Sequence, residues 1–361
     1  MKLSIAMIVK NEEKNLEKSL KEICKYDFDI VIVDTGSTDK TKEVALKYTK
    51  NVFEYKWCND FTKARNFSIS KAKGDYILVI DADEVIESID INNLKTLINK
   101  NNNKVGRILR INQYSRNGER FTYKERVNRL FKKDKFKYSG RIHEQITEIN
   151  NKSYDTYNVP IVLNHYGYEK NEINRKNKIS RNINLLTDEL RENGNDPYVL
   201  YQLGKSYYMK EDYEKAIECF GKAMDFDLDT KLEYVQDMIE SYGYALINSK
   251  RYKESFNIIN LYNEFNKSCD FVFLCGLIYM NNGMFNEAVD EFLKTLKFKE
   301  CKMEGVNSYL SNYNIGVIYE CLGNFNKAYK YYKKSIEYKK SKERLKVLSD
   351  KNDGIKRKLF W

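Results

Sequence analysis

Tyr76-Ile77-Leu78-Val79-Ile80-Asp81-Ala82-Asp83-Glu84 is an apolar run that stops at carboxylates. Its length and β-branched content read as a buried strand, and the acids mark the strand's carboxyl end. In extended backbone Asp81 and Asp83, two residues apart, project to the same side. Two hard oxygen ligands in such a place suit Mg²⁺ or Mn²⁺, an ion that can neutralise a diphosphate. An Asp-x-Asp pair is common on surfaces; the apolar strand before it singles this one out.

Upstream, apolar runs at 3–9, 30–34 and 52–55 alternate with amphipathic stretches at 13–26, 38–50 and 61–73. That alternation predicts βαβ units and a mostly parallel sheet, which binds ligands at the carboxyl ends of its strands. Downstream, polar-alternating strands are expected at 106–114, 126–131 and 159–164, adding mixed or antiparallel pairing. Beyond residue 171 the strand signal ends. There Leu203-Gly204…Tyr207…Ala216…Phe220 recurs as Cys275-Gly276…Tyr279…Ala288…Phe292 and as Ile315-Gly316…Tyr319…Ala328…Tyr332. A weaker copy runs through Gly243, Ser255 and Ile259. In the three clear copies the alanine stands twelve residues after the glycine. This resembles the tetratricopeptide template, in which small residues sit where two antiparallel helices cross.

The expected fold is therefore α/β followed by an all-α repeat solenoid. A first domain is expected over residues 1–170, a polar connecting helix within 171–195, and repeats over 196–361, opened by Asp196-Pro197. Stacked repeats present a concave surface suited to a polypeptide; alternatively they extend and dimerise the first domain.

Composition narrows the function. At 361 residues the chain exceeds what one core usually holds, and 42% hydrophobic residues against 32% charged ones predict a globular protein. A formal net charge of +11 favours acidic partners without choosing among them. Nucleic acid is not the expected one, because many of the 29 tyrosines fall at repeat positions and have packing explanations. Seven cysteines without paired spacing predict free thiols in a reducing compartment. The run 3–9 is too short for a secretory signal, and no apolar stretch approaches the roughly 20 residues of a membrane span. A cytoplasmic protein without a transmembrane segment is expected. No phosphate-binding glycine loop, zinc cluster or serine nucleophile elbow is present.

Four ordered segments carry a family likeness: Ser4-Ile-Ala-Met-Ile-Val-Lys10-Asn11-Glu12, Val33-Asp34-Thr35-Gly36-Ser37-Thr38-Asp39, Asp60-Phe-Thr-Lys-Ala-Arg65-Asn66, and Gly74-Asp75 with the strand and acids that follow. Together they closely resemble the family 2 nucleotide-sugar glycosyltransferases of the A-type fold. With the repeats added, the chain resembles the bacterial subgroup that includes peptide S-glycosyltransferases and flagellin-modifying enzymes. The resemblance implies an A-type glycosyltransferase domain and inverting, metal-dependent transfer from a UDP-sugar, with N-acetylglucosamine the first sugar to try and glucose the second.

The resemblance also assigns roles. Asp34 would accept a hydrogen bond from uracil, Asn11 and Glu12 would lie near the nucleotide, and Arg65, Asn66 and Asp81 would hold the donor. Asp81, Asp83 and His165 would ligate the metal, Mn²⁺ or Mg²⁺; a diphosphate contact is the other role for His165. Glu144 is the first choice for the base that takes the acceptor's proton, with His143 its rival. The favoured acceptor is a polypeptide docked on the repeats and glycosylated on Ser or Thr, as in a flagellin-like surface protein. A peptide cysteine, an envelope glycan and a non-enzymatic scaffold are the alternatives.

Ordinary structural roles stand beside these. Asp34 suits a turn, Asn11 and Glu12 suit helix caps, and Arg65 suits a solvated helix face. Asp60 would cap its helix or orient Arg65, and Asp39 would belong to a turn and helix start. Arg107, Arg110, Arg126, Arg129 and Arg141 could stabilise a leaving diphosphate, but most fit a solvated sheet face. Thr35 stands where many relatives have a second acid, which leaves no second carboxylate role there.

Overall fold

A computed structural model of the chain describes residues 2–116, 119–165 and 172–358. The chain divides into two compact units, Met1–Glu192 and Asn193–Trp361.

In the first unit, β1 (Leu3–Val9), β2 (Asp29–Asp34), β3 (Val52–Glu54) and β4 (Tyr76–Val79) alternate with α1 (Glu13–Ile23), α2 (Thr41–Leu46) and α3 (Phe61–Lys71). Then come β5 (Glu84–Ile89), α4 (Ile91–Lys100), β6 (Val105–Arg116), β7 (Glu119–Lys132), β8 (Phe136–Ser139), β9 (Gln145–Glu148), β10 (Thr156–His165) and α5 (Glu172–Asn193). Eight strands form one sheet in the order β3-β2-β1-β4-β7-β6-β10-β5, and β8 pairs with β9 separately. Strands β1 to β4 pair in parallel, whereas β7 runs antiparallel to both β4 and β6.

Strand β1 is apolar apart from Ser4 because both of its faces are covered. Leu3, Ile5, Met7 and Val9 pack on Leu16, Leu20 and Ile23 of α1. On the opposite face, Ala6 packs with Val31, Ile77 and Ile69 of α3. The parallel register sets Val9 beside Asp34 and Ala6 beside Val79, so Asp34 and Asp81 emerge along one edge.

Two expected details differ. The helix expected over 38–50 is only Thr41–Leu46. Thr49 donates its hydroxyl to the Ile30 carbonyl at 2.9 Å, and Asp39 takes the Thr41 N–H at 2.9 Å, so side chains claim both ends of the stretch. In addition, β5, α4 and the β8–β9 hairpin lie in stretches where no element was expected.

The second unit is helical: α6 (Pro197–Met209), α7 (Tyr213–Met224), α8 (Glu233–Asn248), α9 (Tyr252–Ser255), a 3₁₀ segment Phe256–Leu261, α10 (Tyr262–Phe265), α11 (Cys269–Asn281), α12 (Phe285–Thr295), α13 (Tyr309–Cys321), α14 (Phe325–Lys334) and α15 (Lys339–Lys358). Asp196 caps α6 by accepting from the Val199 N–H at 2.9 Å, with Pro197 in the first turn. The repeat glycines are sites of close approach. A Cβ on Gly204 would lie 2.6 Å from the Phe220 ring, one on Gly276 2.7 Å from Phe292, and one on Gly316 2.6 Å from Tyr332.

The weak copy is weak for a physical reason. Where the others have alanine it has Ser255, whose hydroxyl donates to the Tyr252 carbonyl at 2.6 Å, and a 3₁₀ segment breaks the second helix there. The lysine-rich end forms α15, whose Leu348 is buried against Ala328 and Tyr332. None of the seven cysteines forms a disulfide, and no described helix is long and apolar enough to cross a membrane.

Because Phe292 is fully buried and has no room to retreat, Gly276→Val should overpack the α11–α12 crossing and destabilise the repeat unit by about 2 kcal/mol. A lowered urea midpoint by far-ultraviolet circular dichroism checks this; an unchanged midpoint would show that the crossing is slack.

Candidate active site

The carboxyl end of β4 does not remain extended. The Glu84 N–H donates to the Asp81 carbonyl at 3.0 Å and the Asp81 N–H donates to Glu84 Oε2 at 2.9 Å, closing a turn across Asp81–Glu84. Asp81 and Asp83 therefore separate, contrary to the side-by-side projection that extended backbone would give, and each enters its own set of contacts.

Asp81 sits between two arginines. Its Oδ1 accepts from Arg65 Nη2 at 2.9 Å and its Oδ2 from Arg129 Nη2 at 2.7 Å. Arg65 Nε pairs with Glu144 Oε1. Glu84, fully buried, accepts from Arg129 Nη2 at 3.2 Å and from Arg110 Nη1 at 3.1 Å. Arg65 and Arg129 are each only 8% exposed, so neither the solvated helix face that was the alternative for Arg65 nor the solvated sheet face expected for Arg110 and Arg129 is found. The polar side of β6 and β7 turns onto the acids of the β4 turn. Burial pushes the Asp81 carboxyl up, but Arg129 and Arg65 outweigh it and hold the group well below the usual carboxylate range. Tyr138 lies beneath, its ring centroid 5.5 Å from the Arg65 guanidinium. Burial pushes its phenol up to about 12, and its hydroxyl and Arg65 Nη1 are both buried without a hydrogen-bond partner.

Asp83 turns the other way. Its Oδ2 lies 3.5 Å from His165 Nε2, while His165 Nδ1 lies 2.8 Å from Asn112 Oδ1. The sheet register makes this meeting: His165 on β10 is opposite Glu84 on β5 and opposite Asn112 on β6. An acceptor-only carboxylate facing a ring nitrogen fits a divalent cation that takes its remaining ligands from phosphate and water. The three-residue set expected from Asp81, Asp83 and His165 is not gathered, because both Asp81 oxygens are engaged by arginine. Among the described residues no group of three His, Cys, Asp or Glu side chains is arranged to hold a metal ion.

At the end of β2, Asp34 Oδ1 accepts from the N–H groups of Gly36 and Ser37, both at 2.8 Å. Its Oδ2 is buried without a partner, an orphan acceptor of the kind a ligand N–H completes. Asn11, at φ 54°, accepts from the Thr38 N–H at 2.8 Å and braces the same loop. Glu12 occupies the N-cap position of α1 without capping it by its side chain; its carboxylate accepts from Asn15 Nδ2 at 2.8 Å. Asp39 ties α1 to α2 through the Glu13 N–H at 3.3 Å and the Thr41 N–H.

Asp60 caps α3, taking the Lys63 N–H at 3.0 Å, and is not the group that orients Arg65. Asn66 is spent on structure: its amide exchanges two 3.0 Å bonds with the Tyr138 backbone and fastens β8 to α3. Of the two candidate bases, Glu144 joins the arginine cluster, whereas His143 holds the hairpin turn at φ 52°, its carbonyl accepting from Gln145 Nε2 at 3.0 Å. Sequence reading missed Glu84, Asn112, Glu125 and Tyr138. The spacing of Arg110 and Asn112, two apart on one strand face, was the available signal for part of this set.

Residues 4–155 match the family described as Glycosyl transferase family 2, and residues 197–229 and 309–342 match tetratricopeptide-repeat families. By that match, residues 4–155 are similar to a family 2 glycosyltransferase domain. Tetratricopeptide repeats follow it. The SPbeta prophage-derived glycosyltransferase SunS of Bacillus subtilis (strain 168) is 28% identical over 244 residues, covering 62% of this chain and 53% of SunS. A TPR repeat-containing protein of Synechococcus elongatus is 26% identical over 223 residues, covering 59% of this chain and 54% of that protein. The poly(ribitol-phosphate) beta-N-acetylglucosaminyltransferase TarS of Staphylococcus aureus (strain Mu50) is 28% identical over 116 residues, 29% of this chain and 20% of TarS. The chain thus spans about half the length of the first two relatives.

Asp81→Asn leaves Arg65 and Arg129 facing a neutral amide, and the first unit should lose about 3 kcal/mol near neutral pH. The folded Asp81 ionises below its unfolded value of about 3.9, so its stabilisation is complete above that pH and is lost as pH falls through the lower folded value. Urea midpoints of wild type and Asp81→Asn should differ fully near neutrality and converge in acid; a constant gap would contradict the ion-pair account.

Proposed function

We propose that the chain is an inverting, metal-dependent glycosyltransferase that moves a sugar from a UDP-sugar to a polypeptide acceptor. The observation that carries it is the pair Asp83 and His165 just beyond the carboxyl end of β4, beside the cluster in which Arg65 joins Asp81 and Glu144, with the orphan oxygen of Asp34 two strands away. Sites in such sheets lie at this edge.

Asp34 Oδ2 accepts the uracil N3–H. Asp83 and His165 would hold Mn²⁺ or Mg²⁺, which when bound supplies positive charge to the diphosphate. Arg65 offers its unpartnered Nη1 to the donor, while Asp81 and Glu144 keep its guanidinium in place. Preorganised donors of this kind stabilise charge on a leaving diphosphate without having to reorganise. Glu144, paired with Arg65 Nε, takes the acceptor proton as the anomeric carbon is attacked from the face opposite the diphosphate.

The repeats support a polypeptide acceptor, with Ser or Thr O-glycosylation ahead of a cysteine thiol. The match to TarS, named as a transferase of N-acetylglucosamine to poly(ribitol-phosphate), supports N-acetylglucosamine as the first donor, ahead of glucose. It also supports an envelope glycan as the second acceptor class.

UDP release should be seen with one donor of a UDP-sugar panel, should require added Mn²⁺ or Mg²⁺, and should be abolished by Asp83→Ala. Glu144→Gln should lower it at least about 100-fold. Release that persists in chelator, or no release from any donor, would overturn the reading. Intact-mass analysis of candidate proteins against extracted glycans separates the two acceptor classes.

A further inference from the structure

Asn112 is buried, 5% exposed, at the point of β6 that pairs with His165 on one side and Tyr123 on the other. Its amide nitrogen donates to Glu125 Oε1 at 2.7 Å and to the Tyr123 carbonyl at 3.4 Å. An ionised carboxylate and a carbonyl only accept, so this side of the amide must be the NH₂ and the other side the oxygen. That oxygen is the atom 2.8 Å from His165 Nδ1. It too only accepts, so Nδ1 carries the proton, and in the neutral ring Nε2 is the basic nitrogen. Nε2 is the atom 3.5 Å from Asp83 Oδ2.

Glu125 is itself fixed. Arg110 donates to its Oε1 from Nη2 at 2.8 Å and from Nε at 3.1 Å, and reaches Glu84 Oε1 with Nη1 at 3.1 Å. Glu84 follows Asp83 in the chain. The series Glu84, Arg110, Glu125, Asn112, His165 therefore starts and ends beside Asp83.

We propose that Asn112, oriented by Glu125, is a positioning residue that holds His165 as its Nδ1–H tautomer and so presents the Nε2 lone pair beside Asp83, as one half of a divalent-cation-binding pair. This rests on the cation reading of Asp83 and His165 given above. Asn112 touches neither donor nor ion; it acts through the ring it orients. Outer partners of ligating histidines are typically worth about 10- to 100-fold in metal affinity.

Two readouts on the full chain separate the parts. With only two histidines present, ¹⁵N-histidine labelling and a long-range proton–nitrogen correlation give the tautomer of each ring, with His165→Gln as the assignment. The spectrum is taken metal-free at a pH about two units above the ordinary histidine value. Mn²⁺ affinity comes from the electron paramagnetic resonance signal of unbound ion, without donor. Wild type should show Nδ1–H at His165 and bind Mn²⁺. Asn112→Leu, or Asn112→Ala where the larger side chain prevents folding, should shift the ring toward Nε2–H and weaken Mn²⁺ binding by about 10- to 100-fold. Asn112→Asp keeps an acceptor against Nδ1 and should hold the ring as Nδ1–H, as in wild type.

Nε2–H at His165 in wild type overturns the proposal, as does wild-type affinity in Asn112→Leu. Absence of Mn²⁺ binding in wild type with Nδ1–H intact overturns the cation reading beneath it, and the two failures are distinguishable.

Discussion

The carboxylate of Asp81, held between Arg65 and Arg129, is the contact on which the first unit's site depends. Each guanidinium is buried, and a buried charge is tolerated only when it is paired and hydrogen-bonded. Arg65 comes from α3, Arg129 from β7, Asp81 from the end of β4, and Glu144 from the loop before β9. Four separate stretches of chain are thereby pinned to one point. Glu84 and Arg110 extend the same network to β6, and alternating charges leave little scope for a different register.

That network settles which acids remain for ligands. Asp81 is a keystone whose two oxygens are engaged. Asp83, two residues on, is turned toward His165 by the sheet register, and Asp34 keeps an oxygen without a partner at the end of β2, two strands away. The site is thus a division of labour among carboxylates: one organises arginines, one faces an imidazole, one waits for an N–H, and Glu144 stands beside Arg65.

Strands β1, β2 and β4 were legible because their apolar runs are buried on both faces, and β3 because it follows in the same strand–helix alternation although it is only partly buried. The repeats were legible because close helix crossings demand small residues at fixed spacing. Strand β5 was not, since its half-polar run follows the acids directly and forms only by pairing with β10. Strands β8 and β9 are four residues each, too short for the alternation of Phe136 and Tyr138 to stand out, and their turn holds Gly140 and His143 at positive φ. Of the candidate residues, Asp81 and Asp83 could be named from a strand end, and Asp34, Arg65 and Glu144 from family likeness. The burial of Arg110 and Arg129 was illegible, because a polar-alternating strand facing acids has the same pattern as one facing water. Asn112 and Glu125 were missed for the same reason, their partners being cross-strand neighbours fixed by register. Asn66 misled in the other direction: the polar residue beside Arg65 proved to be a strut for the Tyr138 backbone.

A crystal structure with UDP and Mn²⁺ soaked in, with the metal located by anomalous scattering, tests the central claim most directly. The account predicts the Mn²⁺ peak at Asp83 and His165, the uracil N3–H on Asp34 Oδ2, and the diphosphate within reach of Arg65 Nη1. UDP bound elsewhere, or bound here with the metal peak away from Asp83 and His165, would contradict it.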